Sequence, residues 1–255
     1  IASKHFRGIV LNVILKDIKL NTMNLTEISQ KYETDKEVEH HYLDTYEKHF
    51  KAKFKREDVK KVVEIGIHFG DSLLMWAEYF PNAQIIGADI IDYKKVDYKL
   101  TLHGKTYDRR DVFCNHPRIK TYVLDQTDEE SIKDFKFNIG KDCDIIIDDG
   151  GHSMEMHQKT IKHLLDCVSK NGLYIIEDLH TCSYSVDTLY GFKLVQKGDT
   201  LTTHLLKDWR DSTNLIHATN YLSSGDILYI KSEIQKVYVD MCKHSEIAFI
   251  YKNNS

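Results

Sequence analysis

The sequence predicts an α/β fold in which helices cover both faces of a mostly parallel sheet. Short apolar runs rich in Ile and Val alternate along the chain with longer segments of helical periodicity. This alternation is typical of β-α-β units, and burial of the sheet on both faces explains why the runs are apolar throughout. A length of 255 residues suits one large domain of this class.

The predicted elements follow one another in a regular order. Residues 1–58 are predicted to form an N-terminal helical extension with one long helix over 24–52, and residues 59–255 the main domain. Apolar runs predict five strands and a closing pair, at residues 60–66, 83–90, 118–126, 143–151, 172–179, 225–240 and 245–253. Helical periodicity predicts helices between them at residues 71–80, 129–137 and 154–172, the last stopped by Asn171 and Gly172.

The composition narrows the classes of function. With a formal net charge of -4, the chain lacks the overall positive field that nucleic-acid binding needs, so no nucleic-acid partner is expected. The five cysteines are scattered and form no C-x-x-C pair, which argues against a disulfide framework or a zinc site. Free cysteines in turn predict a reducing, cytoplasmic compartment.

The first residues combine basic side chains with a short apolar run. Residues 9–15 are apolar apart from Asn12, but a bilayer span needs roughly 20 apolar residues, so no membrane span is expected. Amphipathic spacing over residues 9–18 predicts a helix docked on the domain or on a second subunit, which leaves a homo-oligomer open. A helix lying on a membrane surface is the alternative.

The first three strands end in residues suited to a nucleoside. Gly66 and Gly70 follow the first strand, with Glu64 inside it, and Gly66 permits a sharp turn beside a ligand. Their G-x-x-x-G spacing is not the dinucleotide fingerprint G-x-G-x-x-G, which argues against an NAD-type cofactor. Asp89 ends the second strand, where a carboxylate can accept hydrogen bonds from both ribose hydroxyls. Asp125 and Gln126 end the third strand and suit the polar atoms of an adenine; these strand ends together predict cofactor-binding residues.

Two later strands end in acidic tips. Asp148 and Asp149 close the stretch DIIIDD, and Glu177 and Asp178 close the stretch GLYIIED. Carboxylates gathered at one sheet edge repel one another unless a cation lies between them, and Mg²⁺ prefers such oxygen ligands. We therefore expect Asp149, Glu177 and Asp178 to approach a metal, with plain turn and cap roles as the alternative. Asp148 is assigned to the cofactor side, with capping of the following turn as its alternative.

Two histidines follow the first acidic tip. His152 lies three residues beyond Asp149 and is placed to act as a general base, with a simple helix-start role as the alternative. His157 is interpreted as a core or surface residue. Together with Asp149 and His152 it also leaves open a two-histidine, one-carboxylate iron site.

Three motifs give the sequence a family resemblance over roughly Tyr32 to Tyr184. They are T-D-K…H-x-Y from Thr34 to Tyr42, D-D-G-G-H from Asp148, and E-D-L-H from Glu177. With the glycine and aspartate strand ends, they resemble the class I S-adenosylmethionine (SAM)-dependent methyltransferases. Within that class, the three motifs together look like the macrocin/mycinamicin type of metal-dependent sugar O-methyltransferase.

The resemblance implies a Rossmann-like, mostly parallel seven-stranded sheet that binds SAM together with Mg²⁺ or Mn²⁺. It assigns Asp149, Glu177 and Asp178 as metal ligands and His152 as the base for a sugar hydroxyl that the cation has made more acidic. The hydroxyl oxygen would then attack the methyl group of SAM in line. Asp149 is thereby counted with His152 among the catalytic residues.

The remaining motif residues are predicted to line the acceptor site or merely to pack: Lys36, His40, Tyr42, His180 and Tyr184. Local helix partners, Glu39 and His40, are expected for Lys36. The predicted acceptor is a sugar of a nucleotide sugar, a surface or capsular polysaccharide, or a glycosylated natural product. The rival functions are a non-haem iron oxygenase and a SAM- or nucleotide-binding module without turnover.

Overall fold

The computed structural model describes residues 23–32, 34–95, 99–102, 105–108, 115–183, 188–189, 192–243 and 245–254. The predicted amphipathic helix at residues 9–18 and the predicted acceptor residue Tyr184 lie outside these ranges. Among the described helices, none has both the length and the apolar character that crossing a membrane requires.

Seven strands form one mixed sheet whose core is parallel. In chain order the described strands are β1 Lys61–Ile65, β2 Gln84–Asp89, β3 Lys99–Leu102, β4 Lys105–Asp108, β5 Ile119–Val123, β6 Cys143–Asp148, β7 Val168–Ile176, β8 Thr188–Leu189, β9 Phe192–Lys193, β10 Ile234–Met241 and β11 Glu246–Lys252. The large sheet has the order β10-β11-β7-β6-β1-β2-β5, while β3-β4 and β8-β9 form two-stranded ribbons. Strands β1, β2, β5, β6 and β7 run parallel, and β11 pairs antiparallel with β7 and β10. The predicted mostly parallel seven-stranded sheet is confirmed.

Eight α-helices flank these strands in the described part of the chain. They are α1 Leu25–Ser29, α2 Asp35–Val38, α3 Leu43–Lys53, α4 Asp71–Tyr79, α5 Glu129–Ile139, α6 Met154–Leu164, α7 Thr202–Asp211 and α8 Ser224–Glu233. The prediction of one helix over residues 24–52 was wrong, because α1, α2 and α3 replace it. His41, at φ 56°, adopts a left-handed backbone that interrupts the helical path before α3.

Two further boundaries differ from the prediction. Residues 225–240 are not one strand, because Ser223 and Asp226 form a capping box that starts α8 before β10. The helix predicted over 154–172 ends at Leu164, where a short 3₁₀ turn leads into β7. Asn171 takes a left-handed backbone within β7, so Asn171 lies inside a strand and does not end the helix.

The core lies in two layers, one on each face of the sheet. Along β6, the side chain of Ile146 joins one layer, and those of Ile145 and Ile147 join the other. Tyr46 and Phe50 of α3 belong to the second layer with Trp76, so the N-terminal helices share the core of the main domain. The division at residues 58 and 59 stays a prediction about chain organisation.

Candidate active site at the carboxyl ends of the strands

Parallel pairing brings the ends of four neighbouring strands to one level. Ile65 of β1 is in register with Ala88 of β2 and with Asp148 of β6, and Asp148 is in register with Ile176 of β7. The backbone N–H of Glu177 donates to the carbonyl of Asp148 at 3.0 Å. The two predicted acidic tips are therefore neighbours at the sheet edge where ligands bind in open α/β folds.

The first half of the site is the lysine pocket, formed by Glu64, Asp149 and Glu177 around the ammonium group of Lys36. The Lys36 Nζ lies 2.5 Å from Asp149 Oδ2, 2.6 Å from Glu177 Oε1 and 3.2 Å from Glu64 Oε1. The Lys36 side chain is only 1% exposed. Lys36 is thus paired with distant strand ends, and the prediction of local partners Glu39 and His40 for it was wrong.

Burial opposes the charge of Lys36, yet the carboxylates of Asp149, Glu177 and Glu64 together raise its pKa well above the ordinary value. Burial raises the pKa of Glu177 to about 7, although Lys36 acts in the opposite direction. Burial and the neighbouring Glu177 also raise the pKa of Asp149. The carboxylates outnumber the cation at this edge, which favours uptake of further positive charge.

The second half is the histidine pocket, formed by Asp149, His152 and Asp178. One ligand atom from each of these residues lies within 4.8 Å of the other two. The His152 Nε2 is 3.7 Å from Asp178 Oδ2, and the Tyr42 hydroxyl donates to Asp178 Oδ1 at 2.6 Å. His152, at φ 57°, and Asp178, at φ 53°, both adopt left-handed backbones, a strain that clusters at functional sites.

Burial lowers the pKa of His152 below its ordinary value, against the attraction of Asp178, so its imidazole is neutral near pH 7. Burial disfavours the charge of Asp178, but His152, Tyr42 and two further imidazoles lower the pKa of this carboxyl. A neutral imidazole beside an ionised carboxylate can accept a proton and be stabilised once charged.

The further imidazoles belong to His40 and His180. Their Nδ1 atoms lie 3.7 Å and 3.9 Å from Asp178 Oδ1, and the His40 ring stacks on Tyr42 at 5.1 Å between centroids. His180 Nδ1 also lies 2.5 Å from the Ser245 hydroxyl. The structure therefore gathers Lys36, His40, Tyr42 and His180 at one site, while their role toward an acceptor stays a prediction.

Two glycines shape the turn after β1. Gly66, at φ 89°, lies against Asp149, the residue that follows the neighbouring strand β6. A Cβ at Gly66 would be 1.9 Å from the carbonyl oxygen of Asp149. Gly70, at φ 80°, is the left-handed N-cap of α4. Glycine is required at Gly66 both for its backbone angle and for this close approach.

The carboxylate of Asp89 ties the end of β2 to the turn after β1. Its Oδ2 accepts hydrogen bonds from the backbone N–H groups of Ile67 at 2.8 Å and His68 at 3.4 Å. Its Oδ1 accepts only the Ile91 N–H at 3.1 Å among the described contacts. Asp89 thus stands at the predicted strand end, and its role toward a ribose stays a prediction.

The other predicted cofactor residues make mainly internal contacts. Gln126 donates to Asp148 Oδ1 at 2.8 Å and accepts from the N–H of Gly151 at 2.9 Å, so it holds the loop after β6. Asp148 is fully buried and also accepts from the Tyr174 hydroxyl, and burial raises its pKa to about 7. Asp125 accepts from the N–H and hydroxyl of Thr127 in a local turn. These contacts position loops, and direct binding of a cofactor by these three residues stays a prediction.

Glu64 lies inside β1 and is fully buried. Its Oε2 accepts from the Ser72 hydroxyl at 2.7 Å, while Oε1 faces Lys36. Sequence reasoning missed this pairing and also missed Tyr46, whose hydroxyl donates to Glu177 Oε1 at 2.5 Å. The only sequence signal for Tyr46 is its position four residues after Tyr42, on the same face of a helix.

His157 lies behind the histidine pocket. Its side chain is fully buried, its ring centroid is 6.2 Å from that of His152, and it contacts Cys182 Sγ at 3.8 Å. Among the described residues, neither cluster of candidate metal ligands includes His157. This arrangement matches the predicted core role and does not support the two-histidine iron site.

Comparison with solved structures agrees with the class of fold that the sheet order indicates. The fold is that of the class I methyltransferases, and solved structures of this class match the chain over most of its described length. The MycE methyltransferase from the mycinamycin biosynthetic pathway, solved with Mg, SAH and mycinamycin VI, is 27% identical with a TM-score of 0.65. That match covers 91% of this chain and 55% of MycE. A second crystal form of MycE with Mg and SAH gives a TM-score of 0.66 at 28% identity.

Within that class, the predicted resemblance to the macrocin/mycinamicin type of sugar O-methyltransferase is confirmed. The tetracenomycin-C rhamnosyl 2'-O-methyltransferase of Streptomyces olivaceus is 34% identical over 164 residues, covering 62% of this chain and 38% of that protein. The mycinamicin VI 2''-O-methyltransferase of Micromonospora griseorubida is 32% identical over 166 residues, covering 62% and 36%. The chain therefore spans less than half the length of these curated relatives. No family model matches it.

Proposed function

We propose that this chain is a SAM-dependent O-methyltransferase that methylates a sugar hydroxyl with the help of a divalent cation. The observation that carries the proposal is the convergence of Asp149, His152 and Asp178 within 4.8 Å at the ligand-binding edge of the sheet. The relatives support it, because they are O-methyltransferases of sugar-bearing compounds and MycE binds Mg and SAH.

The side chains fit a hard divalent cation. Asp149 and Asp178 offer carboxylate oxygens, and the buried Oε2 of Glu177 has no hydrogen-bond partner in the described part of the chain. An unsatisfied buried carboxylate oxygen is costly unless a cation binds it, and oxygen donors suit Mg²⁺ or Mn²⁺. A cation held by these residues would acidify and orient the acceptor hydroxyl.

His152 is the proposed general base. Its Nε2 lies in the same pocket as the carboxylates, and its Nδ1 is buried without a partner among the described residues. The imidazole would take the hydroxyl proton as the oxygen attacks the methyl group of SAM in line, the methyl–sulfur bond breaks and S-adenosylhomocysteine leaves, with Asp178 beside the imidazole to stabilise its charge. Holding both reactants at fixed positions would supply much of the remaining acceleration.

The proposed SAM pocket lies at the ends of β1 and β2. Gly66 lets the turn after β1 lie close against the backbone of Asp149, and Asp89 keeps accepting capacity on Oδ1 for a ribose hydroxyl. SAM supplies the methyl group when it is bound. The acceptor we favour is a glycosylated natural product, as for the relatives, while a capsular polysaccharide sugar or a nucleotide sugar would need the same hydroxyl chemistry.

The test is calorimetric titration of the purified chain with S-adenosylhomocysteine, with and without Mg²⁺. We expect binding that Asp89→Ala weakens by about tenfold or more, since hydrogen bonds to a charged group contribute about 1.5–3 kcal/mol. Asp92→Ala is the matched control, because Asp92 lies on the same loop and pairs only with Lys95 and the local backbone in the described contacts. Absence of binding under all conditions would contradict the proposal and direct attention to Fe(II) and O₂.

An acceptor assay follows a positive titration. The chain would be incubated with methyl-labelled SAM and three acceptor classes: a rhamnosylated polyketide, a nucleotide sugar and a capsular oligosaccharide. Label transfer to a sugar hydroxyl would support the activity and identify the class of acceptor. SAH binding without transfer to any of the three would favour the binding module without turnover.

A further inference from the structure

Two clusters of candidate ligands share one aspartate at this sheet edge. The first is the lysine pocket of Glu64, Asp149 and Glu177, and the second is the histidine pocket of Asp149, His152 and Asp178. In each cluster the ligand atoms lie within 4.8 Å of one another. By donor type alone, both could hold a divalent cation, and a carboxylate shared in this way is the usual bridge of a two-metal centre.

The lysine pocket already contains a cation. The Lys36 Nζ donates hydrogen bonds to Asp149 Oδ2 at 2.5 Å and to Glu177 Oε1 at 2.6 Å, and it forms an ion pair with Glu64 Oε1 at 3.2 Å. A metal needs about 2.1 Å to the same oxygens and cannot share that space with Nζ. The ammonium group of lysine is a compact point charge on a long side chain. Because it is covalently attached to the chain, it can take the place of a metal ion and cannot dissociate from the pocket.

The charges of the whole edge agree with this division. Glu64, Asp149, Glu177 and Asp178 contribute four negative charges when ionised, and Lys36 contributes one positive charge. A formal charge of -3 remains, which one divalent cation reduces to -1. Without Lys36 the edge would carry -4, which two divalent cations would neutralise.

The N-terminal segment delivers this charge from far along the chain. Lys36 lies on α2, 113 residues from Asp149 and 141 residues from Glu177. Two tyrosine hydroxyls from the same segment reach the same carboxylates, Tyr46 to Glu177 Oε1 and Tyr42 to Asp178 Oδ1. The contacts of Lys36 and Tyr46 saturate Oε1 of Glu177 and leave its Oε2 as the atom without a partner.

We propose that Lys36 is a positioning residue that takes the place of a second metal ion. It fills the lysine pocket permanently, turns Glu177 so that only Oε2 remains available, and restricts the chain to one divalent cation on the histidine side. This inference rests on the proposed function for the existence of that cation. It adds that an internal ammonium group sets the number of cations and where the cation binds.

The experiment is a Mn²⁺ titration of the full chain followed by electron paramagnetic resonance and by equilibrium dialysis. We expect the wild type to bind one Mn²⁺ with the spectrum of an isolated ion. Lys36→Ala is expected to bind two, with the spin-coupled signal of neighbouring ions, because water and a second cation can enter the vacated lysine pocket. Lys252→Ala is the matched control, since Lys252 is also buried but donates to the carbonyls of Leu165 and Val168, away from the site.

The number of Mn²⁺ ions bound by the wild type and by Lys36→Ala decides whether Lys36 replaces a second metal ion. Two ions in the wild type, or a single ion in folded Lys36→Ala, would overturn the inference. No Mn²⁺ in the wild type would overturn both this inference and the proposed metal site, whereas one ion in both proteins would overturn this inference alone. Because the substitution leaves buried carboxylates unpaired, Lys36→Ser is the second variant, with the same expected stoichiometry. Folding of either variant only in the presence of Mn²⁺ would also support replacement of the ammonium by a metal.

Discussion

The lysine pocket and the histidine pocket share Asp149 and lie at the same sheet edge, yet they differ in what surrounds the carboxylates. In the lysine pocket a nearly inaccessible ammonium group is paired with the carboxylates, and the Glu64 and Glu177 side chains are 0% and 1% exposed. In the histidine pocket the Asp178 and His152 side chains are 16% and 10% exposed, and their neighbours are a hydroxyl and imidazoles. Carboxylates alone therefore do not define a reactive site. The charge and accessibility of their partners decide whether they stabilise the fold or remain open to a ligand.

Removing the shared residue should disrupt both pockets and give the largest effect. In Asp149→Asn the side chain keeps its shape but loses the charge that faces Lys36 and the proposed cation. We expect methyl transfer to fall below detection and Mn²⁺ binding to be lost, because a hard cation prefers anionic oxygen. Asp142→Asn is the control, since Asp142 is exposed and its left-handed backbone suits asparagine. Normal turnover by Asp149→Asn would remove Asp149 from the site.

Removing His152 should disrupt only the histidine pocket. We expect His152→Ala to lower kcat by about 10²–10⁴-fold, the usual contribution of a positioned general base. Affinities for SAH and Mn²⁺ should stay near those of the wild type, because the carboxylates and the strand ends remain. Steady-state kinetics beside both titrations separate these effects, with exposed His204→Ala as the control. An unchanged kcat would show that another group takes the proton.

Gly66 contacts the backbone of Asp149, the residue that both pockets share. In Gly66→Ala the new Cβ would lie 1.9 Å from the Asp149 carbonyl oxygen, on a backbone with φ 89°. We expect the free energy of unfolding to fall by about 2–5 kcal/mol, from backbone strain and overpacking together. Gly198→Ala tests strain alone, since Gly198 has φ 88° but open space around it, and should cost about 1–2 kcal/mol. Urea denaturation measures both, and equal losses would show that the close approach is relieved elsewhere.

His157 lies behind the histidine pocket, and its replacement should have the smallest effect, a change in how stability depends on pH. Burial lowers its pKa to about 3 from an ordinary 6.5, so below pH 6.5 the unfolded chain binds a proton that the folded chain refuses. The stability that neutral His157 contributes is therefore complete above pH 6.5 and is lost progressively as the pH falls toward 3. By pH 5 the loss is about 2 kcal/mol, at 1.36 kcal/mol per pH unit.

The measurement compares wild type with His157→Gln by urea denaturation at pH 7 and pH 5. The variant should lose about 2 kcal/mol less than the wild type between these two values, because glutamine does not titrate there. An equal loss in both proteins would mean that His157 is already protonated in the folded chain. In that case an ionic or metal-binding role for His157 would have to be reconsidered.

Local patterns allowed much of this fold to be predicted. Apolar runs followed by Gly66, Asp89 or Asp149 gave the parallel strands and the edge where they end, since a β-α-β repeat leaves few topologies. The boundaries that failed were those governed by context. Residues 225–233 read as a strand because Ile, Leu and Tyr suit either structure, and the capping box of Ser223 and Asp226 decided for a helix.

The sequence by itself determined which residue types stand at each strand end, because strand periodicity and turn chemistry are written into neighbouring residues. Only the tertiary structure decided how those residues are paired. The ammonium of Lys36 meets carboxylates more than 100 residues away, and no helix or strand period relates them. That pairing depends on the packing of α2 and α3 against the sheet, where burial makes an uncompensated carboxylate too costly to leave without a partner.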